Sequence, residues 1–498
     1  MAFMAFQKRS GAATPFCCTI YFMEDRSVLN KGLGRTDVIA LGFGTIVGWG
    51  WIMMGASWVT GAGCLGAVIA FLLGGGVLLL IGLVYGELTA ALPLAGGEFV
   101  FVYRAIGQRT AFLTGWIMTL AYLSVAAWEG IALATALNYV LPIPNAGLLW
   151  EIAGYPVYFS WSVIGMAGAF IVMILNMISS RSAVIFQVMA TMAMMAIVLI
   201  IFLGGIVYGD VENTAPLFTS RQGFNYVLFM IPAMLIGFDV IPQSAEEMNL
   251  EKKDIGRMII VCILISILFY CLLIIGIGLA APEEIRATAG IPTADITAYA
   301  FRSQVFSNIV ILGGILGILT TWNGFFMGAT RLLFAMGRAR LIPQFFGKTG
   351  GRNRTPFPAI IAVGCLCIAT PLLGRNALIW LVNMSSLCAL FTYTMVAIAF
   401  VVLRHREPDL ERPFKLWKNP WIGVLISLIA VVYTMLYIVT NLTAADMIPA
   451  YAMIIAWLMA GELFYGLADH QRRRMTDQEA EYMVFGRVDT RKRGDQNA

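Results

Sequence analysis

The sequence predicts an all-α polytopic membrane protein of twelve transmembrane helices, and three observations carry that prediction. Of 498 residues, 59% are hydrophobic and 12% charged, with a mean hydropathy of +0.81; a soluble chain holds about 25% charged residues. Apolar runs near the ~20 residues that cross a hydrocarbon core recur from one end of the chain to the other. The first and the sixth of these runs are both interrupted by glycine or proline, five spans apart.

Taken in order, the chain opens with a polar segment, 1–36. Its acidic pair Glu24 and Asp25, and its length before the first apolar run, do not fit a cleavable signal layout. Insertion is therefore expected to rely on the spans. Apolar runs set against polar breaks place these at 37–60, 66–92, 110–140, 157–178, 183–208, 224–247, 257–280, 305–335, 358–374, 377–403, 420–440 and 446–468. Only "LGRN" separates spans nine and ten. Residues 469–498 form a polar, basic tail suited to anionic lipid.

Span one contains "IALGFGTIVGWGWIMMGAS", residues 39–57, with five glycines. Each glycine in a helix interior costs about 1 kcal/mol relative to alanine. Span six contains "FMIPAMLIGFDVIPQSAEEMNL", residues 229–250, interrupted by Pro232, Gly237 and Pro242. One glycine-rich span is explained by close helix packing. Two interrupted spans at matching positions of five-span halves point instead to an inverted-repeat transporter. Irregular backbone at membrane depth survives only inside protein or beside a cavity. The halves are 37–208 and 224–403, followed by a last helix pair over 420–468.

Basic residues set the expected orientation. With the N-terminus inside, 29 of the 33 lysines and arginines fall in inside segments; only Arg221, Arg286, Arg302 and Arg375 fall outside. By the positive-inside rule both termini are cytoplasmic. The net charge of +5 then reflects topology, with no nucleic-acid partner implied. The eight cysteines (17, 18, 64, 262, 271, 365, 367 and 388) lack metal-ligand spacing, and both histidines, His405 and His470, lie in polar segments. No metal and no cofactor is expected. A channel would need a filter-like loop or a ring of charge. An enzyme would need clustered catalytic groups, and ATP-driven transport a nucleotide-binding domain. The sequence offers none of these.

Three motifs resemble the amino acid–polyamine–organocation permeases, over about residues 30–465. They are "YGELTAALPLAGGEFVFVYRAIG" (85–107), "GFDVIPQSAEEMN" (237–249) and "NGFFMGATRLLFAMGRARLIPQFF" (323–346). The resemblance implies a five-plus-five inverted repeat like that of sodium-coupled leucine transporters, with two extra C-terminal helices. It implies a secondary transporter for amino acids or related amines in the plasma membrane, with a proton or sodium ion as possible coupling partner. A polyamine or organic-amine exchanger is the alternative substrate reading, and a substrate-sensing transceptor the alternative class.

In that family helices one and six unwind halfway across the membrane and substrate lies against the exposed backbone. Half-helix N-termini attract a carboxylate, and free carbonyls accept from an ammonium. The first break is expected at Val47, Gly48, Trp49 and Gly50, the second at Ala233, Met234, Leu235, Ile236 and Gly237. Trp49 departs from the family, which commonly has a small residue there; it is expected to contact substrate. Trp51 and Trp128 offer further aromatic faces to a cation, although helix packing is the stronger reading for Trp51. Glu129, in mid-span three, marks a functional site by default because a charge there is expensive. It is expected to bind an amine or carry a coupling proton; the alternative is an internal hydrogen bond.

Asp239 either caps the following half-helix or senses protons in gating. Glu87 reads as structural, and Glu246 and Glu247 as partners for Arg331 or Arg338. Asn323 and Phe325 fall where span eight faces substrate in relatives. Some relatives carry a lysine in span five that stands in for sodium. Met194 occupies that position in "FQVMATMAMM" (186–195), which argues against lysine-mediated coupling.

The basic-residue bias predicts that a reporter fused after Ala498 is read on the cytoplasmic side. A reporter active only outside the cell would overturn the orientation.

Overall fold

The computed structural model describes residues 27–486 except 153–154, 179, 352–353, 375–376, 417–419 and 442–446. Cys17, Cys18, Arg375 and the outer parts of both expected tails lie outside the described residues. Among these, nine helices are long and apolar enough to cross a membrane, ten when one bent pair counts as a span. The protein is an all-α integral membrane protein that crosses the bilayer many times.

The bent pair is α1 (Arg35–Ile46) and α2 (Gly50–Ala62), which meet at 56°. The next are α3 (Cys64–Ala91), a short α4 (Gly97–Ala105) and α5 (Gln108–Val140). After a hairpin of β1 (Leu148–Ile152) and β2 (Tyr155–Tyr158) come α6 (Phe159–Ile178) and α7 (Ser180–Tyr208). The second interrupted segment is α8 (Arg221–Leu235) with the one-turn α9 (Val240–Gln243). Helix α10 (Lys252–Ala280) leads through α11 (Glu283–Thr288) and α12 (Pro292–Phe301) to α13 (Gln304–Arg338). Then follow α14 (Phe357–Ala369), α15 (Ala377–Arg406), α16 (Pro420–Asn441) and α17 (Met447–Leu467), and the short α18 (Asp469–Arg473) and α19 (Asp477–Phe485). Of the twelve expected spans, 358–374 and 420–440 correspond to shorter apolar stretches, Phe357–Leu373 and Trp421–Tyr433.

The long helices are apolar on nearly every face, as a segment that touches both protein and lipid must be. Leu72, Ile171, Met189, Leu203 and Leu428 are more than half exposed and ring the outside. Polar backbone is satisfied within each helix, the condition for crossing hydrocarbon. The antiparallel β1–β2 hairpin, with Trp150 opposite Val157, stands where hydropathy alone reads a loop. Strands of five and four residues are too short for a hydropathy signal. Trp150 Nε1 donates to the Leu372 carbonyl at 2.9 Å and ties the hairpin to the turn beyond α14.

Close packing accounts for glycines away from the two breaks. A Cβ on Gly205 of α7 would stand 2.5 Å from the Gly276 carbonyl oxygen of α10, so these helices touch backbone to backbone. Aromatic interlock secures the late helix α17. Trp116 and Trp457 stack at 4.5 Å, and each indole N–H donates to the other's carbonyl at 2.8 Å.

Buried ion pairs hold one end of the bundle. Arg331 grips Glu247 through two bonds of 2.7 and 3.1 Å. Arg338 does the same to Glu246 at 2.9 and 3.0 Å, and the Ala95 amide donates to Glu246 as well. Glu87 meets Arg404 at 2.5 Å, Arg412 at 3.2 Å and the Leu416 amide at 3.0 Å. Burial lowers the Arg412 pKa, and the Glu87 charge acts against that shift. The strand before α1 is pinned to the segment after α9: Gly32 N–H donates to the Glu247 carbonyl, and Asn249 N–H to that of Leu33.

Breaking a buried pair by removing one partner costs about 3–5 kcal/mol, whereas apolar replacement of both is often near neutral. Glu247→Leu is therefore expected to lower the melting temperature of the detergent-purified protein sharply, and Glu247→Leu with Arg331→Met to recover most of it. Equal melting of both variants would mean that the pair contributes no coupling.

Candidate functional site

The first interruption is set by local chain geometry. Val47 N–H closes the last turn of α1 on the Phe43 carbonyl at 2.9 Å, and Val47 then leaves helical space at φ −94°, ψ 85°. Helix α2 restarts from Trp49, whose carbonyl accepts from the Ile52 amide at 3.2 Å. The last carbonyls of α1 need hydrogen-bond donors. Thr321 of α13 supplies one, its hydroxyl reaching the carbonyls of Gly44 at 3.1 Å and Thr45 at 3.3 Å.

The second interruption lies a few residues later than the sequence suggests. Helix α8 continues through Ala233, Met234 and Leu235, and departs only at Ile236 (φ −62°, ψ 142°). Pro232 sits inside the helix, where its carbonyl still accepts from the Ile236 amide at 3.0 Å. The departure requires Gly237, at φ +124°. A Cβ there would stand 2.9 Å from the Thr45 carbonyl carbon and 3.0 Å from the Ile46 nitrogen. Positive φ and absent space each select glycine. The two breaks thus press directly on one another.

Beside this contact lies a cavity lined by residues of both interruptions. Of the residues named from sequence, Gly48, Trp49, Gly50, Ala233, Met234, Ile236, Glu129 and Phe325 line it. Val47 and Leu235 are fully buried behind it, and Gly237 faces the first break. Asn323 points elsewhere: it accepts from Asn176 Nδ2 at 2.9 Å and donates to Gln187 at 3.3 Å. Gln187 Nε2 in turn reaches the Thr320 carbonyl at 3.2 Å. Met194 is fully buried. The polar side chains of α7 that reach α1 are Gln187 and Thr191, both directed at the Ala40 carbonyl.

Glu129 is the chemical centre of the cavity. It is fully buried, and neither carboxylate oxygen accepts a well-formed hydrogen bond among the described residues. The Trp128 indole N–H lies beside it without closing a well-formed hydrogen bond. A buried carboxylate with open lone pairs is costly unless something binds it. Trp49 forms a wall. A Cβ on Gly314 would stand 2.5 Å from its indole ring, so the ring is seated on a glycine of α13. Trp51 is fully buried, lies outside the cavity and packs edge-on against Phe269 at 5.7 Å.

Several lining residues escape sequence reasoning. Tyr270 of α10 donates to the Met234 carbonyl at 3.2 Å and so satisfies the last turn of α8. Ser385 and Ser386 of α15 add hydroxyls opposite the breaks. The paired serines inside an apolar span were the one available signal. Asp239 occupies the N-cap of α9 without capping it. Its carboxylate turns back to accept from the Gly237 amide at 2.8 Å and the Tyr122 hydroxyl at 2.7 Å.

Comparison with known proteins bears on the class of the chain. The family model described as amino acid permease matches residues 33–459. The chain is similar to the branched-chain amino acid permease of Bacillus subtilis (strain 168), 27% identical over 90% of this chain and 95% of that protein. It is similar to the methylthioribose transporter of the same organism at 26%, over 88% and 94%. A third relative there, an aspartate-proton symporter, is 27% identical over 81% of this chain and 78% of its own length.

Removing the Trp49 indole enlarges the cavity beside the first break. Trp49→Ala is expected to leave the protein folded and to shift ligand-induced thermal stabilisation from small towards large amino acids. An unchanged ranking would make Trp49 ordinary packing.

Proposed function

The chain belongs to the amino acid permease family, and from that premise we propose a secondary transporter that moves amino acids or related amines by alternating access. It is a permease, not an enzyme. The observation that carries the reading is the cavity between two facing helix interruptions, with an unpartnered Glu129 in its wall.

In this reading a zwitterionic substrate places its carboxylate at the first amides of α2, beside Gly48, Trp49 and Gly50, where the helix dipole is positive. Its ammonium meets the backbone of Ala233, Met234 and Ile236 or the Glu129 carboxylate. Phe325 closes one side, while Val47, Leu235, Gly237 and Asn323 act behind the lining. Glu129 and Asp239 are the candidates for coupling and gating. The spans are twelve in a five-plus-five inverted repeat with two further helices, both termini are cytoplasmic, and the protein lies in the plasma membrane. The domain limits are those drawn from sequence. Coupling to a proton is supported by a relative named as a proton symporter; a sodium ion is the other option.

Unmatched negative charge and the Trp49 and Trp128 faces favour a cationic amine group over a purely neutral ligand. A transceptor would bind the same ligands without flux.

The test is a thermal-shift screen of purified protein against amino acids, polyamines and quaternary amines, followed by counterflow in proteoliposomes. Bound ligand stabilises the native state. Glu129→Gln keeps shape while removing charge, and losing a charge-assisted hydrogen bond costs about 1.5–3 kcal/mol, roughly one to two decades of affinity. Loss of counterflow and uphill uptake together assigns Glu129 to amine binding; loss of uphill uptake alone assigns it to coupling. Wild-type rates in both modes would remove Glu129 from the site.

A further inference from the structure

We propose that Glu98 and Asp239 form a proton-sharing carboxylate pair that couples proton movement to the second helix break. The proposal rests on the transporter reading and adds to it a site separate from the substrate cavity.

Both carboxylates are fully buried. Glu98 opens α4, placed there by Gly96 at φ +103° and Gly97 at φ +34°. A Cβ on Gly97 would stand 2.9 Å from Pro242 and 3.0 Å from the Gln243 side-chain nitrogen, so the start of α4 packs straight onto α9. Gln243 donates its amide to Glu98 Oε2, while Glu98 Oε1 accepts no well-formed hydrogen bond among the described residues, the Tyr85 hydroxyl lying beside the carboxyl group. Asp239 accepts from two donors, Gly237 N–H and Tyr122 hydroxyl. Two donors thus favour the carboxylate form of Asp239, whereas Glu98 has one well-formed donor and a second oxygen able to carry the shared proton.

Among the described residues, no lysine or arginine acts on either carboxylate. The groups that face it are Tyr85 of α3, Tyr122 of α5, Gln243 of α9 and Tyr393 of α15. Arg331 and Arg338 of α13 are engaged by Glu247 and Glu246. Glu87, two residues from Tyr85, is held by Arg404 and Arg412. Rings of Tyr85, Phe238 and Tyr393 lie 5.4 to 5.7 Å from one another and wall the pair off from water. Two negative charges in one dry site repel strongly, so one proton stabilises the pair.

The mechanical link is short. Asp239 holds the amide of Gly237, the residue pressed on the first break, and Ile236 beside it lines the substrate cavity. A proton taken from water on one side converts the Glu98 carboxylate to the acid and lets α4 rest on α9. Its release to water on the other side restores the carboxylate, and repulsion from Asp239 then favours their separation. No covalent bond besides O–H forms or breaks. A proton shifts the conformational balance only through this difference in affinity between the two arrangements.

Infrared difference spectra of the purified full-length protein, titrated across pH, read protonated carboxyls directly through their C=O stretch. The expected result is a band that persists at neutral pH, disappears in Glu98→Gln, and in Asp239→Asn is lost at a lower pH than in wild type. A contribution from Glu129 is identified by Glu129→Gln. In proteoliposomes with leucine, arginine or aspartate as probe, the ratio of pH-driven uptake to counterflow is expected to fall in Glu98→Gln to the value seen without a gradient. Should that variant not fold, Asp239→Asn carries the same comparison. Spectra unaltered in both variants would overturn the pair, and so would a band that vanishes while the uptake ratio stays at the wild-type value. Absent wild-type counterflow with all three probes would instead overturn the transporter reading, the proton site still being decided by the spectra.

Discussion

The contact between the two interrupted helices is the constraint on which the rest of the molecule depends. Hydrocarbon offers no hydrogen-bond partner, so helical breaks must be satisfied from within the protein. Here the breaks shape each other by contact, and neighbouring helices supply the hydrogen-bond donors. Gly237 rests on the Thr45–Ile46 peptide, Thr321 covers the carbonyls that end α1, and Tyr270 covers the one at Met234. The long helices α5, α10, α13 and α15 stand around this point, and each contributes to the wall of the cavity. The cavity lies where the two breaks meet without closing completely.

Charge inside the bundle divides into two kinds. Glu87, Glu246 and Glu247 each meet an arginine and sit where helices and connecting segments must be held in register. Glu98, Asp239 and Glu129 are buried as deeply and are bonded only to neutral groups or, for Glu129, to none by a well-formed bond. The first kind compensates its own desolvation. The second leaves a deficit that a ligand or a proton can relieve, and such groups concentrate where function does. Phe325 lines the cavity with its ring 5.6 Å from Tyr122, the donor to Asp239, so cavity and carboxylate pair are adjacent.

Sequence alone determined the class of the protein, because hydropathy is additive along the chain and needs no partner. The all-α multi-pass architecture was legible for that reason, the two interruptions were legible from their glycines and prolines, and the permease family from the resemblance of three motifs. Glu129 and Trp49 could be named in advance, because a charge in mid-span, or an indole between two glycines, conflicts with its local setting; Phe325 was named from the family resemblance alone. Tertiary structure decided what depends on which faces meet. It moved the second departure to Ile236 and Gly237, since a proline can lie inside a helix while Gly237 must yield to the backbone of α1. It turned Asn323 towards Asn176 and Gln187, brought Tyr270, Ser385 and Ser386 into the cavity, and joined Glu98 to Gln243 on the one-turn helix that follows Asp239. Residues 98 and 239 belong to elements far apart in the chain, and only packing of α4 on α9 makes two ordinary acidic positions into neighbours.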